Sequence, residues 1–152
     1  MADPDRIGVW GHSNGGQIAL TGLEILGRPV PATLWAPVSK PFPYSVLYYT
    51  DDIPDHGKLL RRELAKFEVQ YDAEQYSLTN YFNRITGPVQ IHQGTADAAV
   101  PVSWINTFVT SMEASSSSKV NYYTYSGADH NMTPDWNTVV SRDVEFFKTN
   151  IP

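Results

Sequence analysis

A serine held between glycines constrains this chain more than any other feature. Gly11-His12-Ser13-Asn14-Gly15, with Gly16 next, separates the apolar run Ile7-Gly8-Val9-Trp10 from a stretch with helical spacing. A G-x-S-x-G pattern in that setting specifies a sharp turn from strand to helix with the serine at its tip. It makes Ser13 a candidate nucleophile and commits the first 26 residues to strand, turn and helix. Alone, the pattern also fits a glycine-rich turn carrying an ordinary serine.

The rest of the chain repeats the alternation. Residues 7–10 read as a short buried strand and 15–26 as a helix, with Ile18, Ala19, Leu23 and Leu26 near a helical period and Gly27 and Pro29 to stop it. Residues 32–38, 88–93 and 120–125 read as three further strands. A helix over 103–114 has Trp104, Ile105, Phe108, Val109 and Met112 on one face. A last helix is expected to open at Thr133-Pro134, a capping residue followed by proline at the first helical position, with Trp136, Val139, Val140, Val144 and Phe147 as its apolar stripe. Strands alternating with helices imply an α/β fold, a parallel sheet of about four strands with helices on its faces.

Residues 40–84 interrupt this rhythm with a Tyr- and Pro-rich insertion. It contains one expected helix, about 57–69, with Leu60, Leu64 and Phe67 on one side. A long insertion after a strand of a parallel sheet is a common place for a lid or binding loop. Lys58, Arg61, Arg62 and Lys66 could grip an anion or form the solvated face of that helix; Tyr44, Tyr48 and Tyr49 could line a pocket or serve as packing.

The 152 residues suit a single domain, 1–152, which at this size buries roughly 70% of the surface its unfolded chain exposes. A net charge of −5 argues against nucleic acid, which needs clustered cations. No apolar run has the length of a membrane span, and no basic-then-apolar leader is visible, so a cytoplasmic location follows if Met1 is the true start. There is no cysteine, hence no disulfide, thiol chemistry or cysteine metal site. No cofactor or metal is expected.

A serine hydroxyl needs a base within hydrogen-bond reach, and the base needs a group to orient it. Of four histidines, His12 adjoins Ser13, where its side chain is expected to point elsewhere; His56 lies in the insertion; His92 lies within a strand and reads as a packed sheet residue. His130 remains, in the turn-rich Ser126-Gly127-Ala128-Asp129-His130-Asn131 that follows the fourth strand. Sites on parallel sheets are built at such strand ends. The segment Gly94-Thr95-Ala96-Asp97-Ala98-Ala99-Val100-Pro101 follows the third strand, and Asp97 is its one acid. Asp129 is an alternative acid, although it adjoins His130 and reaches its ring poorly. The order Ser13, Asp97, His130 is that of the α/β-hydrolases.

Asp5 through Gly16, the loop Gly94-Thr95-Ala96-Asp97 with Val100-Pro101, Gly127-Ala128-Asp129-His130 and the closing Arg142-Asp143-Val144-Glu145-Phe146-Phe147 together resemble the C-terminal half of an α/β-hydrolase of the prolyl oligopeptidase-like group. That group includes dipeptidyl and acylaminoacyl peptidases and related esterases. The resemblance implies Ser13 as nucleophile, Asp97 as acid, His130 as base and the Asn14 N–H as one oxyanion-hole donor. It also implies several strands before the elbow strand and a second oxyanion donor from a loop among them. This sequence has neither, nor a His-Gly-Gly-type segment. The expectation is therefore a truncated α/β-hydrolase whose first strand is an exposed edge, covered by a second copy in a homo-oligomer. Amides need the full apparatus and activated esters do not. The expected activity is thus that of a permissive short-chain carboxylesterase acting on small-molecule esters. The alternatives are a peptidase of the same group and a non-catalytic binding or assembly module.

Overall fold

The computed structural model describes Asp3 and residues 6–151. Met1, Ala2, Pro4, Asp5 and Pro152 lie outside the described residues, and with them the head of the resemblance segment. Four parallel strands run in the order β1-β2-β3-β4: β1 Val9–His12, β2 Ala32–Trp35, β3 Val89–Gly94 and β4 Val120–Tyr125. The register sets Val9 beside Ala32, Ala32 beside Val89, and Val89 beside Val120. Every residue of β2 and β3 is buried, as expected of strands covered on both faces. Trp10 in β1 is 52% exposed, and β4 buries only Tyr125.

The connections are helical. α1 (Asn14–Leu26) buries Ala19, Leu20 and Leu23, and ends at Gly27, whose φ of 61° is the left-handed C-terminal stop that glycine adopts without penalty. α4 (Val102–Ser115) buries all five residues of its expected stripe. The insertion carries a short α2 (Tyr44–Leu47), then α3 (Lys58–Glu68) and several single turns of 3₁₀ helix between Tyr48 and Arg84. α3 has no buried residue; Arg61 pairs with Asp51 at 3.1 Å and Lys66 with Glu63 at 2.9 Å, so these cations are held by neighbours on a solvated face. Tyr44, Tyr48 and Tyr49 gather around Trp104, with Tyr48 closest at 4.5 Å between ring centroids.

Two sequence expectations are corrected. β1 begins at Val9 rather than Ile7, since Val9 N–H is the first to reach across, to Pro31 O at 2.9 Å. α5 runs Trp136–Asn150 and does not open at Thr133-Pro134. The backbone of Thr133 is engaged by Asp129, its N–H donating to Asp129 Oδ1 and its carbonyl accepting from Asp129 N–H, which keeps it out of a helix. The face of α5 also differs: Val139, Asp143 and Phe146 point inward, while Trp136, Val140 and Val144 are exposed.

One acid of α1 is buried against the insertion without a full set of partners. Glu24 on α1 is 3% exposed, and its Oε1 has no hydrogen bond among the described residues. Burial pushes its carboxyl up to about 8, against the opposing pull of Arg84. The folded protein therefore holds this proton more tightly than the unfolded chain. The stability linked to it is full below about pH 4.5 and is lost as the pH rises through about 8. Glu24→Gln should abolish this loss, so thermal melts between pH 5 and 9 should show a far flatter Tm for the variant. Parallel Tm curves for the two proteins would contradict it.

Candidate active site

Ser13 sits between β1 and α1 with φ 56° and ψ −123°, a sparsely populated conformation for a residue with a Cβ. Such a residue costs about 1–3 kcal/mol and persists only where its surroundings fix it. Here Ser13 N–H donates to Trp35 O at 2.9 Å and Ser13 O accepts from Val38 N–H at 3.1 Å, clamping both sides of the turn to β2 and its exit. The glycines let this turn close. A Cβ on Gly11 would lie 2.6 Å from Gly15 O, and one on Gly16 would lie 2.6 Å from Pro37 Cβ, whereas Gly15 faces open space. Ser13 does not cap its own helix, so its hydroxyl is uncommitted to α1. Asn14 opens α1, where the N–H has no carbonyl a turn behind it to bond.

The loops after β3 and β4 meet at the same end of the sheet. Ala96 N–H donates to Ala128 O at 2.9 Å, Thr95 N–H to Tyr125 O at 2.9 Å, and Gly127 N–H to Thr95 Oγ1 at 2.8 Å. Gly94 allows this approach, because a Cβ there would run into the carbonyl oxygens of Ala128 and Asp129. The result is a 2.8 Å hydrogen bond from His130 Nδ1 to Asp97 Oδ2. A carboxylate only accepts, so the proton is on Nδ1 and the neutral ring keeps its lone pair on Nε2. Asp97 Oδ1 accepts from Ala99 and Val100 N–H, both at 2.8 Å, and Oδ2 also accepts from Gln93 Nε2 at 3.1 Å. Burial alone would raise the Asp97 carboxyl; the His130 hydrogen bond, the Val100 N–H and Gln93 outweigh it and hold it below the usual carboxylate range. Tyr49 of the insertion donates its hydroxyl to Ala99 O at 3.1 Å; burial, Tyr48 and Asp97 push that hydroxyl up to about 12, so it stays a donor.

The structure thus brings Asp97 and His130 together and places Ser13 on the elbow, but no Ser13–His130 hydrogen bond forms among the described residues. Catalytic hydrogen bonds often tighten only once substrate is present. Asp129 is a turn residue, accepting from Asn131 and Thr133 N–H at 2.9 Å. His56 stays in the insertion, bonded to Asp51 O, and His92 is fully buried in the sheet. The direction of His12, which the sequence leaves unspecified beyond pointing away from Ser13, is set by a distant loop. His12 points at His130, with ring centroids 4.6 Å apart. Gln93 was missed; its signal was a polar residue at a position where the period of Val89 and Ile91 calls for an apolar one.

A cavity of about 220 Å³ lies inside the insertion, lined chiefly by Phe42, Val46, Leu47, Leu60, Leu64 and Phe67. Val46 also borders a groove along α1 that begins at Asn14, beside Ser13.

The same fold recurs in solved structures. A puromycin-hydrolyzing peptidase of Mycobacterium tuberculosis superposes with a TM-score of 0.75 at 22% identity, over 99% of this chain and 23% of that one. Dipeptidyl peptidase 4 of Porphyromonas gingivalis gives 0.73 at 20% identity, over 98% and 20%. An esterase of Pyrococcus furiosus gives 0.67 at 21% identity, over 97% and 55%. The chain therefore spans from a fifth to just over half of these proteins. At such identities the likeness is one of fold: a four-stranded part of an α/β-hydrolase. No curated protein sequence matches the chain. The family model described as the prolyl oligopeptidase family, however, matches residues 1–151. One model that matches the whole span holding the elbow serine and the Asp97–His130 pair places the chain in the prolyl oligopeptidase family.

Proposed function

We propose that this chain carries the nucleophile, acid and base of a serine hydrolase that cleaves short-chain carboxylic esters through an acyl-enzyme. The observation that carries this reading is the His130–Asp97 hydrogen bond of 2.8 Å, at the sheet end that also presents the elbow serine. His130 Nε2 takes the Ser13 hydroxyl proton as Oγ attacks the ester carbonyl carbon. The Asn14 N–H donates to the resulting oxyanion. The tetrahedral centre collapses, the C–O bond to the alcohol breaks, and His130 returns the proton to the leaving oxygen. Water then repeats the cycle on the acyl-serine, releasing the carboxylic acid and restoring the Ser13 hydroxyl.

Activated esters depend less than amides do on oxyanion donors such as the Asn14 N–H. One such donor is worth about 2.7–4 kcal/mol of transition-state stabilisation, and poor amide leaving groups need it most. The apolar cavity and groove that meet at Val46 suit an uncharged acyl group. The family description and the peptidases among the similar structures favour a second reading, peptide-bond cleavage. p-Nitrophenyl acetate and aminoacyl p-nitroanilides separate the two. The ester should turn over and the anilide should not; the reverse preference assigns a peptidase.

The assembly we propose is a homo-oligomer. Among the described residues β1 is an edge strand of the sheet, and Trp10, Trp136, Val140 and Val144 are exposed. Pairing of two copies across this edge covers unpaired backbone groups and apolar side chains together. Light scattering coupled to size exclusion at micromolar concentration should give at least twice the 17.0 kDa chain mass. A monomer contradicts this. None of the helices is long and apolar enough to cross a membrane among the described residues.

A further inference from the structure

We infer that His12 is a positioning residue for the base, holding His130 to the strand that ends in the nucleophile; this rests on the reading of Ser13, Asp97 and His130 given above. His12 closes β1, pairs in register with Trp35 and is bonded through its own peptide to Ser13. Its Nε2 lies 3.0 Å from the carbonyl oxygen of His130, 118 residues away in sequence. A carbonyl accepts, so His12 Nε2–H donates, and Nδ1 is bare in the neutral ring. The two rings also meet, with centroids 4.6 Å apart and planes inclined by 38°. Trp10 and Trp35 stand around the His12 ring at 6.3 and 6.5 Å, limiting where it can turn.

The other ties on the base loop lead elsewhere. Ala128 O, Gly127 N–H and His130 Nδ1 are bonded to Ala96, Thr95 and Asp97, all on the acid loop after β3. They fix the base relative to the acid, and none of them runs directly to the end of β1 that carries Ser13. His12 supplies the missing tie, from the base's own carbonyl to the residue before the nucleophile. A misplacement of about 1 Å between reacting groups costs on the order of a hundredfold in rate. His12 therefore acts through His130, on the chemical step, without touching substrate.

The hydrogen bond has a signature that needs no substitution. In protein labelled with ¹⁵N-histidine, long-range ¹H–¹⁵N correlations should show neutral His12 with its proton on Nε2. A proton on Nδ1 overturns the inference. Two variants test the consequence. His12→Phe keeps an aromatic ring but loses the donor, and should lower kcat on p-nitrophenyl acetate roughly ten- to a hundredfold with KM unchanged. His12→Gln, which restores an amide N–H near the Nε2 position, should recover most of that loss. The low-field Nδ1–H signal of His130 should persist in both, because the Asp97 bond is intact. A His12→Phe variant as fast as the parent overturns the positioning role alone. A parent whose Ser13 fails to react with a fluorophosphonate overturns the site reading, and the positioning role with it.

Discussion

Asp97→Asn is expected to lower kcat on short-chain esters by about 10⁴-fold with little change in KM, as loss of the orienting carboxylate does in serine triads. The reason lies in the donors around Asp97. One oxygen can still accept from Ala99 and Val100 N–H, so the loop keeps its shape. The atom facing His130 and Gln93 then becomes an amide nitrogen, a donor where both neighbours also donate. The imidazole escapes that clash by moving its proton to Nε2, and a ring protonated there cannot take the Ser13 proton. Steady-state kinetics on p-nitrophenyl acetate check this. A loss of less than tenfold would mean that Asp97 does not set the tautomer of His130.

Asp143→Ala is expected to cost about 3–5 kcal/mol, the usual price of breaking a buried charged network by removing one member. Asp143 on α5 bonds that helix to the central strands of the sheet. Its carboxylate accepts from Thr33 Oγ1 at 2.5 Å, Trp35 Nε1 at 2.7 Å, His92 Nε2 at 2.9 Å and Gln90 Nε2 at 3.1 Å. The network continues outward: Tyr125 Oη lies 2.7 Å from His92 Nδ1 and accepts from Arg142 at 2.9 Å. Alanine leaves four buried donors without an acceptor. For a chain of this length the loss corresponds to a Tm lower by roughly 6–20 °C. The pH dependence has a fixed sign. Burial would raise the Asp143 carboxyl, but His92, Thr33 and Trp35 hold it below the ordinary value. Its stabilisation is therefore present above the unfolded-state pKa and is lost as the pH falls through the folded one. Parent and variant melts should differ at pH 7 and converge in acid. A variant melting within 1 °C of the parent at pH 7 would contradict the network's role.

Those two residues show how much of this protein is legible in sequence. The meeting of Asp97 with His130 is legible because the loops that carry them begin at recognisable strand ends. The parallel sheet is legible because β2 is a short, mostly apolar run closed by Pro37, and β3 carries Val89 and Ile91 at alternate positions up to Gly94. Asp143 was not readable as a core residue. An apolar stripe through Val140 and Val144 is the better helical pattern, yet the polar atoms of Thr33, Trp35, Gln90 and His92 on the facing sheet turn α5 so that the acid points inward. The clue was there, a polar residue on each of two neighbouring strands at matching positions, but it acquires meaning only once the register pairs Thr33 with Gln90 and Trp35 with His92. The contact of His12 with His130 is illegible in the sequence for a similar reason. Adjacency to Ser13 says where its backbone goes, and the side-chain direction depends on a loop 118 residues away. The start of α5 failed on local competition, because Asp129 engages the Thr133 backbone before the helix can use it.

The central claim is that Ser13 is an activated nucleophile, and reaction with a fluorophosphonate probe followed by peptide mass spectrometry tests it most directly. The account predicts a single adduct on Ser13, absent from Ser13→Ala and formed far more slowly in Asp97→Asn and His130→Ala. An unmodified Ser13 under conditions that label a control serine hydrolase, or equal labelling of Ser13 in the His130→Ala protein, would contradict it.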